Sequence, residues 1–425
     1  MLVGNLAGLR EWLVNHRALD WNYFWATSRV VKDTINEYPF WSLVFADLHA
    51  HVLAIPLFLL FAACALHFIR IHSGLPARPI SRIASACALG FAAATQVLTN
   101  AWDAPLLAIL MGFVVLAAAA AGPSLASALS AGIDGVVAAA AALAVALPLW
   151  VRGGGAPGVG RNLDPAASGL DIVTIFGLFF YLAIAWWLAA ASPRLASEHM
   201  PAPNRWLLVL SLGAGLAVLA FVSSEAFCAA GVLLFGAAWL RMAEEPEDRL
   251  AFAFVAVAFF LILFTQRYYV SDRMNTFFKL FQESWLLLAI GTAALAFRPR
   301  ERTAAFPRWR LPVRAGFFVL LAAATFTSVT AARGAVSNHF AAYSGPSLDG
   351  LRYLEETRPG EYRAVEWMRR AIRGTPVILE AQGASYQDFS RISMLTGLPT
   401  VLGWEHHVKQ RGNPPPGTDG VLHRG

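Results

Sequence analysis

Ten apolar runs dominate this chain, at 52–69, 83–98, 105–121, 126–150, 171–191, 206–222, 226–240, 250–264, 285–297 and 315–332. A helix needs about 20 predominantly apolar residues to cross roughly 30 Å of hydrocarbon. Backbone groups inside a bilayer must be satisfied within the segment, so each run reads as a helix. Several runs are short and must borrow a turn from their flanks. The weakest division is inside 105–150, where only Gly122, Pro123 and Ser124 separate a pair of alanine-rich stretches. Composition agrees: 57% of the residues are hydrophobic and 14% charged, against about 25% charged in ordinary soluble domains.

The placement of arginine supplies an independent test. Lys and Arg accumulate in cytoplasmic loops of membrane proteins. With residues 1–51 outside and strict alternation thereafter, the inner loops hold Arg70, Arg78, Arg82, Arg194, Arg205, Arg241, Arg249, Arg298, Arg300, Arg302, Arg308, Arg310 and Arg314. The outer loops hold Arg152, Arg161, Arg267, Arg273 and Lys279. Thirteen against five, in one direction at nearly every crossing, predicts a multi-pass protein with its N-terminal segment and C-terminal tail outside the cytoplasm. The net charge of +6 is therefore a topology signal and gives no ground for a nucleic-acid partner. Cys64, Cys87 and Cys228 lie within apolar stretches and read as packing residues.

The expected fold class is an all-α polytopic transmembrane bundle of about ten helices with a small extracytoplasmic α/β element at the C-terminus. Four regions follow: 1–51 leading into the first span, 52–332 within the membrane, an α/β tail over 333–411, and a disordered end over 412–425. The tail carries an amphipathic helix with Val365, Met368 and Ile372 on one side, then strand-like runs at 376–380 and 399–402.

Polar residues gather at the predicted outer mouths. Before the first span stand Arg29, Glu37, Asp47, His49 and His51. Asp47, with Glu37, suits a general base. Asp47, His49 and His51 align as ligands for a divalent metal if the segment is extended; on a helix His49 points away. The same residues also suit a helix cap at headgroup level. Asn100 and Asp103 occupy a second turn beside Trp102, where turn and N-cap chemistry account for them equally. Glu225 lies in a third turn, close to hydrocarbon, where a carboxylate is costly unless it faces a cavity. The fourth cluster spans 266–283 and holds Arg267, Tyr269, Arg273, Asn275 and Lys279, with Gln282 and Glu283 behind. Three cations in one outer loop run against the charge bias. Arg is a bidentate phosphate binder and Lys a point charge, so a lipid phosphate is the expected ligand, with snorkelling to headgroups as the plainer account. In the tail, Glu405, His406 and His407 read as structural or accessory. No P-loop, GxSxG, HExxH or CxxC pattern falls where its chemistry needs it.

Several of these motifs carry a resemblance. The stretch from Ser28-Arg29-Val30 to Asn36-Glu37-Tyr38-Pro39-Phe40, then Asp47-Leu48-His49-Ala50-His51, Thr99-Asn100-Ala101-Trp102-Asp103 and Asp272-Arg273-Met274-Asn275-Thr276 resemble the YYY-type membrane proteins (Chlor_Arch_YYY), an uncharacterised family. Thr396-Gly397-Leu398-Pro399 and Gly403-Trp404 resemble it too. That family is grouped with the GT-C glycosyltransferases. The resemblance implies a GT-C-like helical bundle, a polyprenyl-phosphate sugar donor and an active site on the outer face. The chain departs from the family pattern, since only Tyr268-Tyr269 stands for the Tyr-Tyr-Tyr run. The first outer loop with its leading acid is also missing, and the start at Met1 reads as the middle of a longer protein. The expected reading is a C-terminal portion, with an N-terminal half on a separate chain as partner.

Two functions remain open. The first is a membrane glycosyltransferase acting on an extracytoplasmic acceptor. Arg267, Arg273 and Lys279 would hold phosphate, Asp47 and Glu37 would act as base, and His49 and His51 would assist. Asp103 and Glu225 would line the acceptor side. The second is a transporter or lipid-handling protein without covalent chemistry. Transporters carry ionisable residues and broken helices near the midplane, and the apolar runs show few charges, which favours a site at the membrane surface. A scaffold anchored by its outer loops is a third, plainer possibility.

Overall fold

The computed structural model describes residues 2–46, 49–73, 77–122, 124–152, 158–195, 202–241, 245–296, 310–339, 347–381, 383–385 and 387–404. The protein is a polytopic all-α membrane bundle. Over the described residues, each of the ten apolar runs lies within a helix: α4 Ala50–Ser73, α5 Pro79–Thr99, α6 Ala104–Ala121, α7 Leu125–Arg152, α8 Gly169–Leu195, α9 Ala202–Val222, α10 Ser224–Arg241, α11 Pro246–Arg267, α12 Arg273–Ala296 and α13 Arg310–His339. Three short helices precede them, α1 Ala7–Leu13, α2 Trp21–Ala26 and α3 Pro39–Phe45. Among the described residues, seven helices are long and apolar enough to cross a membrane. Helix α12 falls outside that set because its first three turns are polar. It begins at Arg273, well ahead of the apolar run at 285.

Several consecutive helices are joined by few residues, which makes those neighbours antiparallel. Ser223 alone separates α9 from α10, and a 3-10 turn, Ala101–Asp103, joins α5 to α6. The bundle is centred on α11, whose membrane window is 78% buried; the α7 and α13 windows are 22% and 28% buried and face outward. Aromatic rings fill the centre. Phe259 of α11 stacks on Phe180 of α8, ring centres 5.0 Å apart, and Trp285 of α12 meets Phe179 edge-on at 4.9 Å. Gly169 starts α8 directly against the Ala220 carbonyl of α9, where a Cβ has no room.

The chain divides into two compact units. The first comprises Met1–Val151 and Pro157–Ser337, the second Arg152–Ala156 and Asn338–Gly425. Residues 2–46 are built into the first unit. Gly4 N donates to Ala324 O of α13 at 3.2 Å and Leu6 N to Thr174 O of α8 at 2.8 Å. Tyr23 Oη lies 2.7 Å from Thr330 Oγ1. Asp20 caps α2 by accepting from Tyr23 N, and Trp41 of α3 stacks on Phe24 of α2 at 4.5 Å.

The described strands lie in the first unit, where β1 (Val159–Arg161) pairs antiparallel with β2 (Tyr268–Val270). The second unit carries α14 Arg352–Thr357, α15 Pro359–Ala371 and α16 Arg391–Thr396. Its two strand-like runs meet in a single parallel bridge, Ile378 to Thr400. Val365 is buried, while Met368 and Ile372 are half-buried. The predicted disordered end, 412–425, lies outside the described residues.

Candidate functional site

The site is built around the start of α12. Asp272 caps that helix: its Oδ1 accepts from Asn275 N at 2.8 Å and its Oδ2 from Asn275 Nδ2 at 2.8 Å. Starting the helix here puts Lys279, Gln282 and Glu283 on one stripe at i, i+3 and i+4. All three are buried. Sequence alone assigns Lys279 to an outer loop; it lies instead in the second turn of α12, inside the bundle. A search for apolar runs starts the helix where hydropathy rises, and so leaves a buried polar turn in the loop.

Two further elements converge on that stripe. At the start of α4 the His49 carbonyl accepts from Val52 N at 2.9 Å and Leu53 N at 3.1 Å. This leaves His49 exposed and directs His51 inward. Lys279 Nζ lies 3.2 Å from His51 Nδ1, and Ser42 Oγ lies 3.5 Å from His51 Nε2. Ser42 Oγ donates to Glu37 Oε2 at 2.9 Å, and Glu37 faces Arg29 at 4.0 Å. The Arg29 guanidinium packs 4.2 Å above the Trp25 ring. Burial pulls its pKa below the usual arginine range, with Glu37 opposing the shift. From the other side, Asp103 accepts from Asn100 Nδ2 at 2.5 Å and from Gln96 Nε2 at 2.9 Å. Its carboxyl is also hydrogen-bonded to that of Glu283, with Lys279 close enough to act on both electrostatically.

The result is a continuous polar path, Arg29–Glu37–Ser42–His51–Lys279, ending on the Asp103–Glu283 pair. It is not saturated. Gln96 Oε1, Glu283 Oε2 and both side-chain polar atoms of Gln282 are buried with no hydrogen-bond partner. An unpaired buried polar atom costs about 1–3 kcal/mol, so these atoms call for water or a ligand.

A second set of predicted residues forms the rim. Arg267 pairs with Glu225 at 2.6 Å. Arg273 pairs with Asp164 at 3.3 Å and donates to Lys32 O at 3.0 Å, tying α12 to the N-terminal segment. Tyr269 lies in β2, opposite Gly160 of β1, and Asn275 is occupied at the Asp272 cap. These bonds bring the N-terminal segment, the 158–168 connection and the starts of α4, α6, α10 and α12 to one end of the bundle. Glu225 and Asp103 do not meet: the first serves Arg267, the second the buried path.

Asp47, Glu405, His406 and His407 lie outside the described residues. Among the described residues no group of three His, Cys, Asp or Glu side chains is placed to hold a metal ion. The ring centres of His49 and His51 are 4.9 Å apart. Both nitrogens of His51 already face Lys279 and Ser42, so a cation there meets an amine. Asp47, the third ligand expected from the sequence, lies outside the described residues.

The apolar runs hold few charges, as expected, but one of them is buried: Asp134 of α7 lies 3.0 Å from His72 Nε2 of α4 and 2.8 Å from Arg82 Nε of α5. One carboxylate among alanines barely lowers a run's average hydropathy, so such scanning passes over it. The stripe Lys279-x-x-Gln282-Glu283, at helical spacing, is the legible signal that Gln282 and Glu283, named with the fourth cluster but given no role, share a face with Lys279. Gln96 and Ser42 give no comparable pattern.

Residues 1–288 match a family model described as an uncharacterized membrane protein, DUF2298. That stretch contains every residue of the path and of the rim. No curated protein and no solved structure matches the chain.

Proposed function

The chain belongs to the uncharacterized membrane protein family DUF2298, and from that premise we propose that it is a membrane glycosyltransferase of the GT-C type. It moves a sugar from a polyprenyl-phosphate-linked donor to an acceptor outside the cytoplasm, with the N-terminal segment and the tail on that outer side. The observation that carries this reading is the path from Arg29 to the Asp103–Glu283 pair. Four segments far apart in sequence deliver acids, cations and unpaired polar atoms to one end of the bundle. The YYY-type motifs lie on the same elements.

In this reading Asp47 or Glu37 takes the proton of the acceptor hydroxyl as that oxygen attacks the anomeric carbon. The bond from that carbon to the phosphate oxygen breaks, and polyprenyl phosphate leaves with the electron pair. Lys279, Arg273 and Arg267 offset the charge on the departing phosphate. Arg273 is recruited by exchanging Asp164, whose side chain is largely exposed. His49 stands at the lip of the path, where it meets a headgroup.

The test is transfer from a radiolabelled polyprenyl-phosphate sugar by the full-length protein in membranes. Asp47→Ala should abolish turnover. Arg273→Ala should lower it about 100-fold, the effect of losing one preorganised charge partner in the transition state. Activity surviving both changes would sink the assignment.

A second reading, transport or lipid handling without covalent chemistry, has its own support. Lys279, Glu283 and Asp134 are ionisable residues within long helices, the pattern of substrate and proton pathways. Uptake of sugar-phosphate lipid by reconstituted vesicles, with no product formed, would select it over the first.

A further inference from the structure

Away from the polar path, α4, α11 and α12 leave an apolar groove of about 280 Å³, lined by Ala62, Ala63, Leu66, Ala251, Phe254 and Ala294 among others. Its existence follows from the sequence: four alanines stand on three helices where larger side chains would close the seam. The groove runs from Leu59 to Leu66 along α4, two helical turns or about 10 Å. Two of its walls, α4 and α11, are among the helices long and apolar enough to cross a membrane, so hydrocarbon is what it can take up.

One end of the groove is charged. Glu247, in the first turn of α11, lines it, and Arg70, in the last turn of α4, is ion-paired with Glu247. Both side chains remain substantially exposed, Arg70 at 57% and Glu247 at 38%. A positive and a negative lobe therefore sit side by side at the mouth of an apolar groove. This end holds the last turn of α4 and the first of α11, opposite to the end where the polar path opens.

We infer that the groove seats one acyl chain of an aminophospholipid of the phosphatidylethanolamine class, with its phosphate on Arg70 and its primary ammonium on Glu247. The charge pattern selects this lipid. Phosphatidylcholine carries the same phosphate, but its quaternary nitrogen has no N–H to donate to a carboxylate. Phosphatidylglycerol has no cation for Glu247. Guanidinium binds phosphate through two parallel N–H bonds, and the ammonium completes a four-charge square. This inference stands apart from the proposed reaction and holds whether the chain transfers a sugar or carries one.

The test uses the full chain in nanodiscs containing equal amounts of phosphatidylethanolamine, phosphatidylcholine and phosphatidylglycerol, with retained lipid counted by native mass spectrometry. The natural protein should keep phosphatidylethanolamine several-fold over the other two. The double variant Arg70→Gln, Glu247→Gln should keep lipid without preference. Ala63→Phe and Ala294→Phe, at exposed positions on the groove wall, should each lower total retention while helicity is unchanged. Equal retention of all three lipids by the natural protein would overturn the headgroup assignment. Retention untouched by both Phe variants, or a Phe variant converting a dimer to a monomer, would overturn the groove's occupant. If a Phe variant fails to fold, the charge-pair variant still decides, because it leaves the groove intact.

Discussion

At the scale of single residues, Lys279 decides what the bundle interior can tolerate. Two carboxyl groups, Asp103 and Glu283, are buried against each other, and like groups at such range are held only by a cation or a shared proton. Lys279 supplies the cation from the same helix stripe as Glu283. Removing one member of a buried charged set costs about 3–5 kcal/mol, whereas removing the set together is far milder. Lys279→Met should therefore destabilise the protein by about 3 kcal/mol, read as a lowered thermal midpoint in detergent. Adding Glu283→Leu should restore most of the loss. A double variant no more stable than Lys279→Met alone would mean that Lys279 acts through His51 instead. The residue scale is also where the sequence is least legible. Motif spacing singles out Arg29, Glu37, His51, Asn100, Asp103 and Lys279, and all lie on the path. It places Gln282 and Glu283 behind the fourth cluster without a role, and does not single out Ser42 and Gln96. A partner is chosen by three-dimensional proximity, and a serine or glutamine within an apolar run leaves no mark in the local pattern.

At the scale of elements, the start of α12 is the joint on which both sets of site residues depend. The Asp272 cap fixes where the helix begins, and a shift of one residue turns Lys279 about 100° away from His51. Losing an N-cap carboxylate costs about 1 kcal/mol. Asp272→Ala should lower stability by about that amount and speed hydrogen exchange of the amides at 273–277, with little change in α4 to α6. The misplaced boundary at 285 has the same physical origin. Hydropathy reports contact with lipid, and the first turns of α12 contact protein. Helix α7, which faces outward, is therefore legible over nearly its full extent. In the second unit, Arg358 hydrogen-bonds Asp388, and with Arg391 it holds that carboxyl below the usual aspartate range. A depressed carboxyl stabilises the fold above its unfolded value, near 3.9, and the contribution is lost as pH falls through the folded value. Protection factors over 358–391 in the full chain, that is exchange corrected for the intrinsic pH dependence of the amide, should therefore fall as pH is lowered below about 4 and stay flat between pH 5 and 8.

At the scale of the whole molecule, the bonding pattern and the charge bias make separate statements, and one experiment distinguishes them. Hydrogen bonds and ion pairs tie Lys32 to Arg273, Arg273 to Asp164 and Glu225 to Arg267, so these segments share one end of the bundle. The loop before α5, with Arg78, lies at the other end, since α5 returns to the first end at Asn100. Which end faces the cytoplasm is not a matter of bonding. It rests on thirteen basic residues on the expected inner side against four on the outer, Lys279 being buried in α12, and the bias that places Lys and Arg inside. In a background with Cys64, Cys87 and Cys228 replaced by alanine, single cysteines at Lys32, Leu163 and Arg78, all exposed, report both facts. A membrane-impermeant maleimide applied to intact cells should label Lys32→Cys and Leu163→Cys and leave Arg78→Cys unlabelled until the membrane is permeabilised. The reverse pattern would keep the bundle but turn the site toward the cytoplasm, where an extracytoplasmic acceptor is out of reach, and the proposed reaction would fall with it. Labelling of Lys32 and Leu163 from opposite sides would break the bundle itself, because Arg273 cannot bond both segments across a membrane.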